Sequence, residues 1–367
     1  TTSSSPHPPQ KHVLIVQGGP GTGKTVVAVN LLGEFTRKRL LAQYVSKNAA
    51  PRAVYEHKLT GQMRPTRFRN LFKGSGSFTE TPTDAFDALI VDEAHRLNEK
   101  SGLYRNQGDH QIREIINAAR FSVFFLDEDQ RVTLHDIGTR EEIVSMARQA
   151  GAHVTHTQLA SQFRCDGSDG YLAWLDDRLQ IRETANQDLA GLDYAFKVFD
   201  DPAALRDEIF HLNAASNKAR LVAGYCWNWV SKKNPDLHDI VLPGHDFAMK
   251  WNLASDSSLW IVAPNSVNEI GCIHTCQGLE VDHIGVIIGP DLLVRNGTVL
   301  TRPEARAKTD HSIRGWKTRL KHAPDETRGH LDLIIKNTYR TLMTRGMKSC
   351  YVWSADPETR EWLQSGI

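Results

Sequence analysis

Short, continuous apolar runs recur along the chain, separated by longer stretches of mixed polarity. The first run, His12-Val13-Leu14-Ile15-Val16-Gln17, reads as a strand buried on both faces. An apolar helix opening follows at Val26-Val27-Ala28-Val29-Asn30-Leu31-Leu32. Further strands are expected over 42–45, 86–91 and 121–126, with a helix around 111–120 and a short strand at 153–155. The pattern is less regular from about 150 to 260. Within it, 221–225 reads as a strand opening a second α/β unit, and Trp260-Ile261-Val262 as another strand. The run at 283–288 is again a buried strand, and 349–353 is the last one. Leu331, Ile334, Ile335, Tyr339 and Leu342 recur at helical spacing between them. From 295 to 322 the chain turns polar and basic, like an inserted arm. Strands alternating with helices, with polar residues at the strand ends, predict an α/β fold of parallel sheets with the site along one sheet edge. The expected organisation is a disordered tail or linker over 1–10, a first domain over 11–155, and a second over 156–367 carrying the basic insertion.

Composition changes this picture little. A chain of 367 residues is long enough for two domains with real cores. A net charge of +1 gives no global pull toward nucleic acid, so any such contact must come from local patches. Five scattered cysteines without paired C-x-x-C spacing fit a reduced, cytoplasmic setting and no zinc site. No apolar run approaches the ~18 residues of a membrane span. The polar, Ser/Thr/Pro-rich start lacks the features of a signal peptide, and the absence of an initiator Met suggests a piece of a longer protein.

The candidate chemistry centres on Gly18, Gly19, Pro20, Gly21, Thr22, Gly23, Lys24 and Thr25, which fit the phosphate-binding pattern G-x-x-x-x-G-K-[ST]. A strand before it and a helix after it would aim backbone N–H groups at a triphosphate. Lys24 would reach the β- and γ-phosphates, and the Thr25 hydroxyl would coordinate Mg²⁺. Asp92 and Glu93 follow an apolar strand, as in a Walker B element. Asp92 would help hold the Mg²⁺ shell, and Glu93 would orient and deprotonate the attacking water. Gln130, after the neighbouring strand, could sense the γ-phosphate. ATP and Mg²⁺ are the expected cofactors.

Arg64, Arg67 and Arg69 interleave with Phe68, mixing charge with an aromatic ring as single-strand grooves do. Arg302, Arg306, Lys308, Arg314, Trp316, Lys317, Arg319 and Lys321 form a second basic stretch.

Six motifs occur in order: the loop over 18–25, Asp92-Glu93-Ala94-His95, Asp127-Glu128-Asp129-Gln130, Gln162-Phe163-Arg164, then two longer ones. These are His274-Thr275-Cys276-Gln277-Gly278-Leu279-Glu280 and Tyr339-Arg340-Thr341-Leu342-Met343-Thr344-Arg345. Together they resemble the ordered motifs of superfamily 1 helicases. Over 271–289 and 337–352 the chain more closely resembles the Schlafen group 3-like DNA/RNA helicase domain. The resemblance implies two RecA-like P-loop domains with ATP in the cleft between them, and Arg164 and Arg345 as arginine fingers. It implies that Gln277 and Gly278 couple nucleotide to nucleic acid, with Glu280 near the ribose. It also matches Ser46, Asn48 and Arg52 to a strand-contacting motif. Two features depart from the pattern: no glutamine motif precedes the phosphate loop, and there is little room for the large insertions of duplex-unwinding motors.

The expected function is an ATP-dependent translocase or helicase acting on single-stranded DNA or RNA. The alternative is a nucleotide-gated switch regulating an attached or partner effector, such as a nuclease upstream. A metabolic kinase is a third reading that leaves Gln277 to Glu280 and Arg345 without a role.

Overall fold

The apolar run at 12–17 becomes an interior strand of a parallel sheet in the computed structural model of the chain, which describes residues 10–102, 106–160, 169–251 and 257–367. The chain divides into two compact units, Thr1–Arg131 with His135–Ser161 and Val132–Leu134 with Gln162–Ile367.

The first unit runs β1 (His12–Gln17), α1 (Lys24–Arg37), β2 (Ala42–Ser46), α2 (Ala49–Leu59), α3 (Pro65–Leu71) and β3 (Phe72–Lys73). It continues through β4 (Phe86–Asp92), α4 (Gln111–Ala118), β5 (Ala119–Leu126), α5 (Arg140–Gln149) and β6 (His153–Gln158). The six strands lie in the order β3-β2-β4-β5-β1-β6, each parallel to its neighbours. Period-two alternation sorts their apolar side chains onto two faces. Val13, Ile15, Val45, Leu89, Val91, Phe124 and Leu126 pack with Ile112, Ile115 and Ile143 of α4 and α5. Val16, Tyr44, Ile90, Val123 and Phe125 pack with Ala28 and Leu32 of α1 and with Phe68 and Phe72. With both faces covered, continuous apolar runs are what the strands require. Because all strands point one way, the turns after β1, β2, β4 and β5 emerge at one edge. Strand β6 pairs with β1 along its whole length, past the boundary expected at residue 155.

The second unit begins with α6 (Asp169–Arg178), β7 (Ala195–Val198), α7 (Pro202–Ser216), β8 (Ala219–Ala223), β9 (Ile240–Val241) and β10 (Ala248–Trp251). Next come β11 (Glu269–Gly271), α8 (Ile273–Cys276), β12 (Val281–Ile288), β13 (Leu292–Arg295) and β14 (Thr298–Thr301). The chain ends with α9 (Trp316–His322), α10 (Pro324–Met343), β15 (Gly346–Ser354) and α11 (Pro357–Gln364). Its seven-stranded sheet has the order β7-β15-β12-β8-β11-β10-β9, parallel except for the β9–β10 edge pair.

Three local expectations are corrected. Trp260-Ile261-Val262 forms a turn, not a strand; Trp260 is wholly buried there, so the apolar run fills the core without joining the sheet. The stretch over 295–322 is not a free basic arm: it opens in the antiparallel β13–β14 hairpin, and Arg306 is buried. Phe68 is not a groove aromatic, because its ring stacks on Phe72 at 4.3 Å and is 3% exposed. Among the described residues, no helix is long and apolar enough to cross a membrane.

Candidate nucleotide-binding site

The loop between β1 and α1 turns twice through left-handed backbone, at Gly21 (φ 78°) and Gly23 (φ 79°). Side chains rarely adopt that conformation, which accounts for glycine there. Gly19 has nothing within 4 Å of where a Cβ would stand, leaving the outer side of the loop open. Lys24 is the first residue of α1, and its Nζ donates to the carbonyls of Gly18 and Gly19, both at 2.7 Å. The same nitrogen lies 3.8 Å from Asp127 Oδ2, an acceptor of Gln130 Nε2 at 2.6 Å. Lys24, Asp127 and Gln130 thus meet where β1 and β5 end side by side.

Asp92 ends β4 and is buried. Its Oδ2 accepts from Thr25 Oγ1 at 2.7 Å and from the Tyr44 hydroxyl at 2.6 Å, while Oδ1 accepts the Glu93 N–H at 2.9 Å. Burial and the neighbouring Glu93 charge push the Asp92 carboxyl above the ordinary aspartate value of 3.8, against the pull of Tyr44, Thr25 and Lys24. Above 3.8, up to the raised value, the folded chain holds a proton that the unfolded chain has released. Stability therefore falls as pH rises through that window. Asp92→Asn, which cannot titrate, is accordingly expected to lose less ligand-free melting temperature than wild type between about pH 4 and pH 7. Melting curves at both pH values check this, and an equal or larger loss in the variant would reject it.

Glu93 takes a left-handed backbone, φ 52°, which is uncommon for a residue with a side chain. His95 is fully buried beneath it. The Asp127 N–H donates to His95 Nδ1 at 3.2 Å, which places the ring proton on Nε2, 3.0 Å from Glu93 Oε2. The first unit therefore brings together Lys24, Thr25, Asp92, Glu93 and Gln130. A hydroxyl beside a single carboxylate suits magnesium, which binds few protein oxygens and keeps water or phosphate for the rest. Among the described residues, no group of three or more His, Cys, Asp or Glu could hold a metal ion by itself. The open loop and the hydroxyl–carboxylate pair fit a magnesium-bound nucleotide.

The other expected residues divide. Ser46 is 1% exposed at the end of β2, and Arg52 folds back to donate to the carbonyls of Ser46 and Asn48. Arg64, Arg67 and Arg69 stand exposed on and beside α3. In the second unit Gln277 is buried, Gly278 has φ 80° and Glu280 is exposed. Arg345 is 1% exposed, donating from Nε to Thr341 O at 2.9 Å and from Nη1 to Leu279 O at 3.5 Å. It thus pins the end of α10 to the loop carrying Gln277, Gly278 and Glu280. Arg164 lies outside the described residues. Sequence reasoning missed Tyr44, since a tyrosine inside an apolar strand looks like any core residue. It also gave Asp127 and His95 no role, although both stand in quoted motifs.

A glycine loop joining an interior parallel strand to a helix, with an acidic pair on the same edge, defines a nucleotide-binding P-loop α/β fold. The sequence pattern of the Schlafen group 3, DNA/RNA helicase domain family matches residues 11–356, and the chain belongs to that family. It is also similar to an uncharacterized Saccharomyces cerevisiae protein, YPL245W, at 24% identity over 96% of this chain and 83% of the relative. Among solved structures, an arterivirus nonstructural protein 10 (helicase) in complex with DNA matches with a TM-score of 0.41 and 11% identity, over 93% of this chain. This chain spans 60% of that protein. The Pif1 helicase of Candida albicans matches with a TM-score of 0.29 and 13% identity, over 56% of this chain and 45% of the other.

Proposed function

We propose that the chain is an ATP-driven nucleic-acid translocase or helicase domain that hydrolyses ATP at the carboxyl edge of the first unit's sheet. The convergence of Lys24, the Thr25–Asp92 pair and Glu93 with its His95 neighbour on that edge carries this reading. Backbone N–H groups of the 18–25 loop and the Lys24 ammonium take the phosphates, with Lys24 exchanging the Gly18 and Gly19 carbonyls for phosphate oxygens. Thr25 and Asp92 would hold magnesium, which would supply neutralisation of the phosphate charge. Glu93, with His95 beside it, accepts the proton of the attacking water. Gln130 and Asp127 flank the lysine and report on the γ-phosphate. A finger role for Arg345 requires its guanidinium to leave Thr341 and Leu279. Family membership and the exposed arginines of α3 favour single-stranded DNA or RNA as the partner.

The test is steady-state ATP hydrolysis with and without single-stranded DNA or RNA, at low and moderate salt, since phosphate contacts weaken steeply with salt. Stimulation by one of them, fading with salt and reduced at least a hundredfold by Lys24→Ala, is the expected result. Hydrolysis indifferent to both polymers would reject the motor.

A further inference from the structure

Tyr44 is a buried group at this edge that the proposed chemistry leaves unused. It sits in β2, paired with the Asp92 strand in the register Tyr44↔Ile90 and Ser46↔Asp92. Its ring is 1% exposed and is held by Phe72 at 5.1 Å and by Tyr55, edge-on, at 6.4 Å. The ring cannot swing away without disturbing that packing, so the hydroxyl has a fixed position. It donates to Asp92 Oδ2 at 2.6 Å, the same oxygen that takes the Thr25 hydroxyl at 2.7 Å. With Oδ1 taken by the Glu93 N–H at 2.9 Å, three donors from three separate positions fix the plane of one carboxylate.

A buried tyrosine hydroxyl needs an acceptor, and a backbone carbonyl would satisfy that need. Here the acceptor is instead the carboxylate oxygen beside Thr25, and the bond crosses from one strand to the next. We propose that Tyr44 is a positioning residue of the metal site, fixing Asp92 Oδ2 beside the Thr25 hydroxyl so that the pair is preorganised for magnesium. This rests on the proposed nucleotide–magnesium reading of the first unit. Groups that orient a metal ligand through hydrogen bonds typically contribute 10–100-fold to metal affinity.

Tyr44→Phe removes the hydroxyl and keeps the ring, so the aromatic packing survives. In the full chain, equilibrium binding of a fluorescent ATP analogue is measured across a magnesium titration and again in EDTA. The expected result is a magnesium midpoint raised about tenfold or more, with metal-free nucleotide affinity within about twofold of wild type. Phe72→Leu serves as the packing control, loosening the same aromatic group without touching the carboxylate, and is expected to leave the midpoint in place. An unchanged midpoint in Tyr44→Phe, with a wild type that does respond to magnesium, would overturn the positioning role alone. Equal losses with and without magnesium would also overturn it, reducing Tyr44 to a structural residue. A wild type whose nucleotide binding ignores magnesium would overturn the reading of the site, and this inference with it.

Discussion

Glu93→Gln is expected to stop hydrolysis while leaving ATP bound. The amide has nearly the shape of the carboxylate, fits the same place 3.0 Å from His95 Nε2, and asks nothing new of the left-handed backbone at φ 52°. It cannot take a proton from water. Losing a positioned general base costs typically 10²–10⁴-fold in rate, so single-turnover hydrolysis should fall by about that much. Nucleotide affinity should stay within a few-fold, because Lys24, Thr25 and Asp92 are untouched. His95→Ala should give a smaller fall, since it removes a buried neighbour and not the base. If Glu93→Gln hydrolyses ATP at nearly the wild-type rate, the water is activated elsewhere, and the Asp127–Gln130 pair becomes the place to look.

The second large effect concerns stability and lies in the second unit. Arg306 is buried between Asp291, with Nε at 2.9 Å from Oδ2, and Asp310, with Nη1 at 3.0 Å from Oδ2. Its Nη1 also donates to Ser312 Oγ at 2.8 Å. Burial works against the guanidinium charge, yet the two carboxylates hold its pKa above the ordinary arginine value. Asp291 is in addition the acceptor of the Tyr339 hydroxyl, which in turn accepts the Gly289 N–H at 2.9 Å. The tyrosine fits only because residue 224 is glycine: a Cβ there would stand 1.9 Å from the hydroxyl oxygen. Asp291→Ala therefore strips a buried cation of one partner and a buried hydroxyl of its acceptor. Breaking a buried ion pair from one side costs about 3–5 kcal/mol, or a melting-temperature drop of roughly 6–20 °C for a unit of this size. Lys308→Ala, at an exposed neighbour, should leave the melting curve unchanged. A melting temperature for Asp291→Ala within a degree or two of wild type would mean that water or a rearranged Asp310 replaces the lost carboxylate.

Most of the first unit was legible because its signals are local. Strands buried on both faces must be continuous apolar runs, and a phosphate loop must place its glycines at fixed spacing, so both stand out along the chain. What sequence could not supply was which side chains tertiary packing brings to the same point. Tyr44 and Asp92 are 48 positions apart and meet only because β2 pairs with β4. Arg306 looked like one more exposed cation in a basic stretch, because the carboxylates that neutralise it belong to turns whose paths the sequence does not reveal. Phe68 looked like a groove aromatic among arginines until α3 turned it inward onto Phe72. Nor does the sequence reveal that Arg345, which the resemblance implies is a finger, donates to the carbonyls of Thr341 and Leu279 in its own unit.

On the proposed role of Glu93 as the base, its left-handed turn sets the sturdiness of the fold against its reactivity. Holding a side chain in that conformation costs of order 1 kcal/mol or more, and glycine or asparagine would rest there far more easily. The chain carries a glutamate nonetheless, next to a buried carboxyl that burial already disfavours. Selection for thermal resistance alone, blind to catalysis, would find its gains at this corner early. On that proposed role, the proteins it delivered would be tougher and inert.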